Sequence, residues 1–277
     1  MTLLMGIVNA TPDSFSDRRG AQSLDELVAQ GHALVADGAA IVDVGGESGR
    51  TDRPAVPVEE EIARIVPLVE RLAGEGLTVS VDTWRGPVAR AGLAAGAAMI
   101  NDVSALRDPG VADACAAAGA ALVVTHTRVP PKVKGFPDYE DVVADVIALL
   151  EDRATAAEKH GVERDRLVFD PGIDLGKTPA ESIEVLRRLP ELAVLGGPLL
   201  VATSRKDFIG ALTGGAPAAR DAGTLAAVDR AVAGGADILR VHDVAGVRDY
   251  LAVRAVLDGD GAEAELALAE HLRREAV

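Results

Sequence analysis

The run Ala40-Ile-Val-Asp-Val-Gly-Gly-Glu47 is a short apolar stretch that ends in two glycines and a carboxylate. Seven other runs share its form: Leu3–Ala10, Leu77–Thr83, Met99–Ser104, Ala121–Thr127, Leu167–Gly172, Leu199–Lys206 and Ile238–Asp243. Each is short, rich in Val, Ile or Leu, and bounded by Gly, Pro or polar residues, so each reads as a strand. Between them lie Ala-rich stretches of helical period with polar or Pro-containing starts, which predict helices near 23–37, 58–73, 87–95, 109–118, 138–160, 179–189, 218–233 and 244–257. The strand runs read as continuously apolar, not alternating, the mark of strands buried on both faces of a helix-covered parallel sheet.

Eight βα units in about 250 residues predict an α/β fold, the (β/α)8 TIM barrel. A doubly wound open sheet is the rival, because strand order cannot be read from one sequence. No composition break separates a second domain, so residues 1–277 read as one domain: a barrel over about 3–257 and, after the loop Asp258–Gly261, an extra amphipathic helix over about 262–276.

Composition narrows the function. The 277 residues are 48% hydrophobic, enough to bury a full core without disulfides or a partner. With 43 acidic against 28 basic residues the net charge is −15, the wrong sign for a chain that tracks along phosphate backbones, so no nucleic-acid partner is expected. The lone Cys115, in an Ala-rich helical stretch, excludes an internal disulfide and fits a reducing compartment. No basic leader precedes Leu3, and no uncharged run approaches the ~18 residues that span a bilayer, which predicts a cytoplasmic protein with no membrane partner.

Polar residues collect where the predicted strands run out: Asn9, Asp43 with Glu47, Asp82, Asn101 with Asp102, His126, Asp170, Ser204 with Lys206, and Arg240 with His242. Any one of them reads equally well as a solvated strand end or a satisfied core polar group. Together, on a barrel, they fall on the C-terminal face where such folds carry their chemistry. Asp82, Asn101, Asp170 and Lys206 supply acceptors and donors complementary to an amino-oxo-pyrimidine edge, and the cations can hold an anionic leaving group. Two decoys are set aside. Gly172-Ile-Asp-Leu-Gly-Lys-Thr178 is one residue short of a phosphate-binding P-loop, and the five histidines lack metal-ligand spacing.

Ala10-Thr-Pro-Asp-Ser-Phe-Ser-Asp17 and Asp43-Val-Gly-Gly-Glu-Ser48 resemble the two signature segments of the dihydropteroate synthase family. Val81–Thr83, Ile100–Asp102, Asp170–Gly172 with Gly176-Lys177, Ser204–Lys206 and Arg240–Asp243 follow in that family's order. The resemblance implies a TIM barrel that joins 6-hydroxymethyl-7,8-dihydropterin diphosphate to p-aminobenzoate, releasing diphosphate and 7,8-dihydropteroate. It places Asp82, Asn101, Asp170 and Lys206 on the pterin, with Asp43 close by, and Asn9 on the Mg²⁺ that holds the diphosphate. Arg50, Arg240 and His242 fall at anion-binding positions and, with Lys206, form the expected catalytic set. Phe15 is expected to close over the aminobenzoate, with Ser204 and Lys206 as the floor of that pocket. The family is commonly homodimeric through helices late in the barrel, and the period of 218–257 permits this.

Departures from the family pattern leave two alternatives in place. The second loop reads Gly49-Arg-Thr-Asp-Arg-Pro54 where Thr-Arg-Pro-Gly is usual, Trp84-Arg85 follows Asp82-Thr83, Asp174-Leu175 replaces a glycine and an aromatic, and Thr125-His-Thr127 narrows one pocket wall. Such changes suit a pterin-binding paralogue without synthase activity. A methyltetrahydrofolate corrinoid methyltransferase shares the pterin pocket but leaves the first loop and the anion-binding positions unexplained.

Overall fold

The computed structural model describes residues 2–10, 23–49, 51, 53–259 and 273. The described residues form eight strands: β1 (Leu3–Asn9), β2 (Ile41–Gly45), β3 (Val79–Asp82), β4 (Met99–Asp102), β5 (Ala121–Thr125), β6 (Leu167–Asp170), β7 (Leu200–Val201) and β8 (Ile238–Val241). All pair in parallel in the order β6-β5-β4-β3-β2-β1-β8-β7. A parallel bridge between Phe169 and Leu199, with the Phe169 amide 2.9 Å from the Pro198 carbonyl, brings the two ends of the sheet together. The barrel reading therefore holds, and the open-sheet rival does not.

Among the described residues nine α-helices connect and cover the strands: α1 (Leu24–Ala36), α2 (Val58–Gly74), α3 (Gly86–Ala94), α4 (Gly110–Ala118), α5 (Val142–Lys159), α6 (Pro179–Arg187), α7 (Asp207–Thr213), α8 (Asp221–Ala233) and α9 (Val244–Leu257). Their starts follow capping chemistry. Ser23 and Thr178 each close a capping box with a glutamate three residues on, and Asp141 and Asp243 accept from the first-turn amides of α5 and α9. Pro67 sits inside α2 on its exposed side, where the carbonyl it leaves without an amide partner faces water. The short α7 was not foreseen, because its first residues follow directly on the run Leu199–Lys206, which reads as strand throughout; only Leu200 and Val201 pair as one. The expected helix over 262–276 lies outside the described residues, apart from the exposed Arg273.

The strands are buried on both faces, as their continuous apolar runs predict, and the two faces pack into different cores. Outward residues such as Val8, Val42, Val81, Ile100, Leu122, Phe169 and Leu239 pack under the helices in the main core. Inward residues change character along the barrel axis. At the N-terminal end Met5, Ile41, Met99, Val123, Val168, Leu200 and Ile238 form a closed apolar plug. One pleat higher the inward positions are Asp43, Asp82, Asn101, Thr125, Asp170 and Arg240. Because the strands carry only one or two of these each, the alternation is invisible in a run such as Leu167-Val-Phe-Asp170 until the register is known.

Two neighbouring helices start from one carboxylate. Asp108 accepts from the Gly86 amide at 2.7 Å and from the Gly110 amide at 2.9 Å, so it caps both α3 and α4. The two helix starts pack backbone to backbone, and a methyl group on Gly86 would lie 2.8 Å from the Gly110 carbonyl carbon. Backbone cannot yield as a side-chain tip can, so Gly86→Ala is expected to destabilise by about 1–3 kcal/mol, read as a lower urea midpoint with an unchanged slope.

Candidate active site

The inward polar layer opens into a cavity of about 330 Å³ at the C-terminal face of the barrel, the size of a small-ligand site. Its wall includes Asn9, Glu47, Asp82, Asn101, Asp170, Lys206, Arg240 and His242, so residues from seven of the eight strand ends converge on one space. Asn9, Asp82 and Asn101 come together because Asn9, Gly45, Asp82 and Asn101 stand in register across β1 to β4.

Arg240 organises the floor. Its Nε donates to Asp43 Oδ2 at 2.6 Å and its Nη2 to Asp82 Oδ2 at 2.8 Å, while Asn101 Nδ2 donates to the same Asp43 oxygen at 3.1 Å. Asp43 is fully buried and stands outside the cavity lining. The structure thus sets it behind Arg240 and Asn101 as their anchor, not on the cavity surface. Burial raises the Asp82 carboxyl above its ordinary value; Arg240 opposes this and Asp43 adds to it. Burial disfavours the Arg240 charge, yet Asp43 and Asp82 more than restore it. Asn101 Oδ1 is buried and has no hydrogen-bond partner among the described residues.

Asp170 and Lys206 face this layer from the other side. The Asp170 carboxylate accepts from the Gly172 amide at 2.7 Å, and Lys206 Nζ donates to the Ile173 carbonyl at 2.8 Å. Burial raises Asp170 against the pull of that amide and of Lys206. Burial lowers Lys206, and Asp174 and Asp170 hold it up. Asp174, the departure at a usual glycine, adopts φ 63°, and its side chain accepts from the Asp207 amide at the start of α7. It is a turn residue whose charge also supports Lys206. Leu175 lines the cavity where the family pattern has an aromatic.

Ser204 works through its neighbour. Its hydroxyl lies 2.8 Å from His242 Nδ1 and accepts from the His242 amide at 3.2 Å. The pair closes either with the hydroxyl donating to Nδ1 or with Nδ1–H donating to the hydroxyl's second lone pair. Burial, then Arg205, Arg240 and Lys206, push the His242 ring below its ordinary value, which favours its neutral form. Phe15 and Arg50 lie outside the described residues.

The base of the second loop is tied down by charges that sequence reasoning missed. Glu47, its side chain 1% exposed, sits 2.7 Å from Arg85 and 3.0 Å from Lys132, and Arg85 also binds Glu61 at 2.6 Å. Lys132 donates to the Ser48 carbonyl and Arg64 to the Gly46 carbonyl. Loops after β2, β3 and β5 are thereby joined. Arg85 also stacks 5.3 Å from the centre of the Trp84 ring, and Trp84 stays outside the cavity lining. Arg53 lies on the cavity wall. His126 and Thr127 are buried against the turn that follows β6, and neither they nor the buried Thr125 line the cavity.

Comparison with known proteins agrees with this geometry. The family described as pterin binding enzyme matches residues 5–242. The chain belongs to the pterin-binding enzyme family. Within it, the chain is 43% identical to the dihydropteroate synthase of Mycobacterium leprae over 259 residues, 90% of this chain and 91% of that protein. It is 44% identical over 247 residues, 88% of this chain, to a probable bifunctional folylpolyglutamate synthase/dihydropteroate synthase of Haloferax volcanii, but spans only 29% of that protein. A Xanthomonas albilineans dihydropteroate synthase solved with 4-aminobenzoic acid superposes with a TM-score of 0.86 at 46% identity, covering 93% of both chains. The same bacterium's enzyme in complex with 7,8-dihydropteroate gives 0.83 at 45% identity, covering 93% of this chain and 94% of that one.

Two outcomes follow from the site's charges. Asp43→Ala leaves Arg240 with one partner in a buried setting and is expected to cost about 3–5 kcal/mol, measured by urea unfolding. His126 is fully buried and lowered to about 4, by burial first and then by Lys177, against the pull of Asp145. The unfolded chain takes up this proton near about 6.5. Stability from the neutral ring is thus complete above about pH 6.5 and lost as pH falls toward about 4. His126→Gln is expected to flatten the decline of the urea midpoint over that window.

Proposed function

We infer that the chain condenses 6-hydroxymethyl-7,8-dihydropterin diphosphate with p-aminobenzoate to 7,8-dihydropteroate and diphosphate, as a dihydropteroate synthase. The observation that carries this is the convergence of Asp82, Asn101, Asp170, Lys206 and Arg240 on one cavity inside a chain over 40% identical to such synthases across nine-tenths of its length. In this reading Asp170 accepts from the N–H donors of the pterin, Asn101 offers its partnerless Oδ1, and Lys206 donates to the ring oxygen. A site built of buried polar groups rejects analogues lacking that edge by roughly 10⁴-fold or more.

The leaving group belongs at the mouth. His242, as an N–H donor, and Arg50 with Arg53 on the second loop hold the diphosphate, and Arg240 completes the set from below. Phe15 on the first loop covers the aminobenzoate, over a floor of Lys206 with Ser204 behind His242. No side chain is needed as a nucleophile: the chain's residues bind, orient and exclude water while the aryl amine attacks the pterin methylene carbon.

Asn9 on the cavity wall is the residue that fits Mg²⁺. Among the described residues no cluster of three His, Cys, Asp or Glu could hold a metal alone, so the ion would take the Asn9 amide oxygen together with diphosphate oxygens, a ligand set Mg²⁺ accepts. When bound it supplies charge neutralisation to the leaving diphosphate.

We further take residues 1–277 as one pterin-binding domain acting as a homodimer; α9 exposes Val253 and Leu257, which supports a partner on that helix. Among the described residues no helix is long and apolar enough to cross a membrane, and the reading places the reaction in the cytoplasm, where the buried Cys115 stays reduced.

The deciding experiment measures diphosphate release from dihydropterin diphosphate and Mg²⁺ with and without p-aminobenzoate, with the pterin product weighed by mass spectrometry. Release coupled to dihydropteroate is expected. Pterin binding without dihydropteroate would make the chain a binding paralogue. Asp170→Asn is expected to raise the pterin KM at least about tenfold, because an acceptor facing two donors becomes in part a donor; an unchanged KM removes Asp170 from recognition.

A further inference from the structure

The residues that aim at the pterin edge are themselves held by a turn, and the turn is held from outside the cavity. After β6, residues 171–177 fold back over His126 before α6 begins. The approach is close: Gly172 has φ 67°, and a methyl group there would lie 2.0 Å from the His126 carbonyl oxygen. Two backbone groups of this turn serve the cavity, the Gly172 amide on Asp170 and the Ile173 carbonyl on Lys206.

What fixes the turn is Lys177. Its side chain runs under the turn, 1% exposed, and takes no part in the cavity wall. Its Nζ donates to the Gly172 carbonyl at 2.9 Å and the Leu175 carbonyl at 3.3 Å, and lies 2.7 Å from His126 Nδ1. His126 Nδ1 can accept only with the ring proton on Nε2, and Asp145 Oδ1 stands 2.9 Å from Nε2 to receive it. Arg128 pairs with Asp145 from the solvent side. Burial lowers the Lys177 ammonium to about 7 while Asp170 draws it back up. A desolvated amine is costly to keep in a core, and an apolar side chain would brace α6 as well.

We propose that Lys177 is a positioning residue for pterin recognition: through its bonds to the Gly172 and Leu175 carbonyls it sets the 171–177 turn, and through the Gly172 amide and Ile173 carbonyl the turn aims Asp170 and Lys206. Asp145 and His126 act one step further back by presenting Nδ1 as an acceptor. This rests on the pterin reading of the cavity.

The test compares the parent with Lys177→Met, Asp145→Ala and Leu186→Ala, the last a buried apolar residue of α6 remote from these bonds. Steady-state KM for each substrate and calorimetric binding of 6-hydroxymethylpterin are measured beside thermal unfolding. Lys177→Met is expected to raise the pterin diphosphate KM and the pterin Kd about tenfold to a hundredfold, the cost of a misplaced contact of about 1 Å, while the p-aminobenzoate KM moves less than about threefold. Asp145→Ala shifts the pterin constants the same way by a smaller factor, and Leu186→Ala lowers the Tm and leaves them unchanged. An unchanged pterin constant in Lys177→Met overturns the proposal, as does an equal rise in Leu186→Ala. If Lys177→Met fails to fold, the half-buried Asp145→Ala decides: no rise there overturns it. A parent that turns over neither substrate and binds no pterin overturns the pterin reading itself, and this proposal with it.

Discussion

The structure depends on one arrangement of charge, Arg240 drawn between Asp43 and Asp82 across the inside of the barrel. Taking a guanidinium and two carboxylates out of water costs several kcal/mol per ion, and an apolar layer in their place would hold the strands together at least as well. The lower plug of Met5, Ile41, Met99 and Ile238 shows how the same strands close when no ligand is to be met. The upper layer therefore spends stability to keep hydrogen-bonding groups desolvated, aligned and short of partners. Each of its members needs another: without Asp43, Arg240 and Asn101 lose their common anchor, and without Arg240, Asp43 and Asp82 are two buried like charges facing one another.

Much of this was legible in the sequence, and the reason is geometric. Eight Val- and Ile-rich runs separated by capped helices leave few folds, and parallel strands ending in polar residues must deliver them to one face. Asp82, Asn101, Asp170, Lys206 and His242 could be picked because each sits at a strand end in that pattern. Asp43 was picked by the same rule and serves differently: it lies one pleat below Gly45 on β2, so it points inward beneath the cavity, where it bonds Arg240 and Asn101. Sequence position gives the face a residue points to, but depth along the barrel axis depends on register.

The supports were not legible. Arg85 and Lys132 meet Glu47 from two other connections, Arg85 binding Glu61 as well, and Lys177 meets His126 across a separation of 51 residues. No local period announces such pairs; they follow from which loops the barrel brings side by side. The histidine was named as a strand-end residue, and its neighbour in space came from a motif fragment set aside for having the wrong spacing for a P-loop. Likewise α7 was hidden because only five residues, 202–206, separate the end of β7 at Val201 from its start at Asp207, too short an interval for a composition change to register.

The net charge of −15 and an anionic diphosphate leaving group look incompatible until the cavity is considered by itself. Its described wall carries three acidic residues, Glu47, Asp82 and Asp170, and three basic ones, Arg53, Lys206 and Arg240. The signs are also layered. The carboxylates lie deep, where Arg240 answers Asp82 and Lys132 and Arg85 answer Glu47, while Arg53 stands on the loop at the mouth. Exposed acidic side chains on the outer helices are screened within about 10 Å at ordinary ionic strength, and the groups inside the cavity much less so. An arriving anion thus meets the local lining before it meets the chain's overall charge, and the buried carboxylates, already answered by their own cations, are left to read hydrogen-bond donors on a neutral ring.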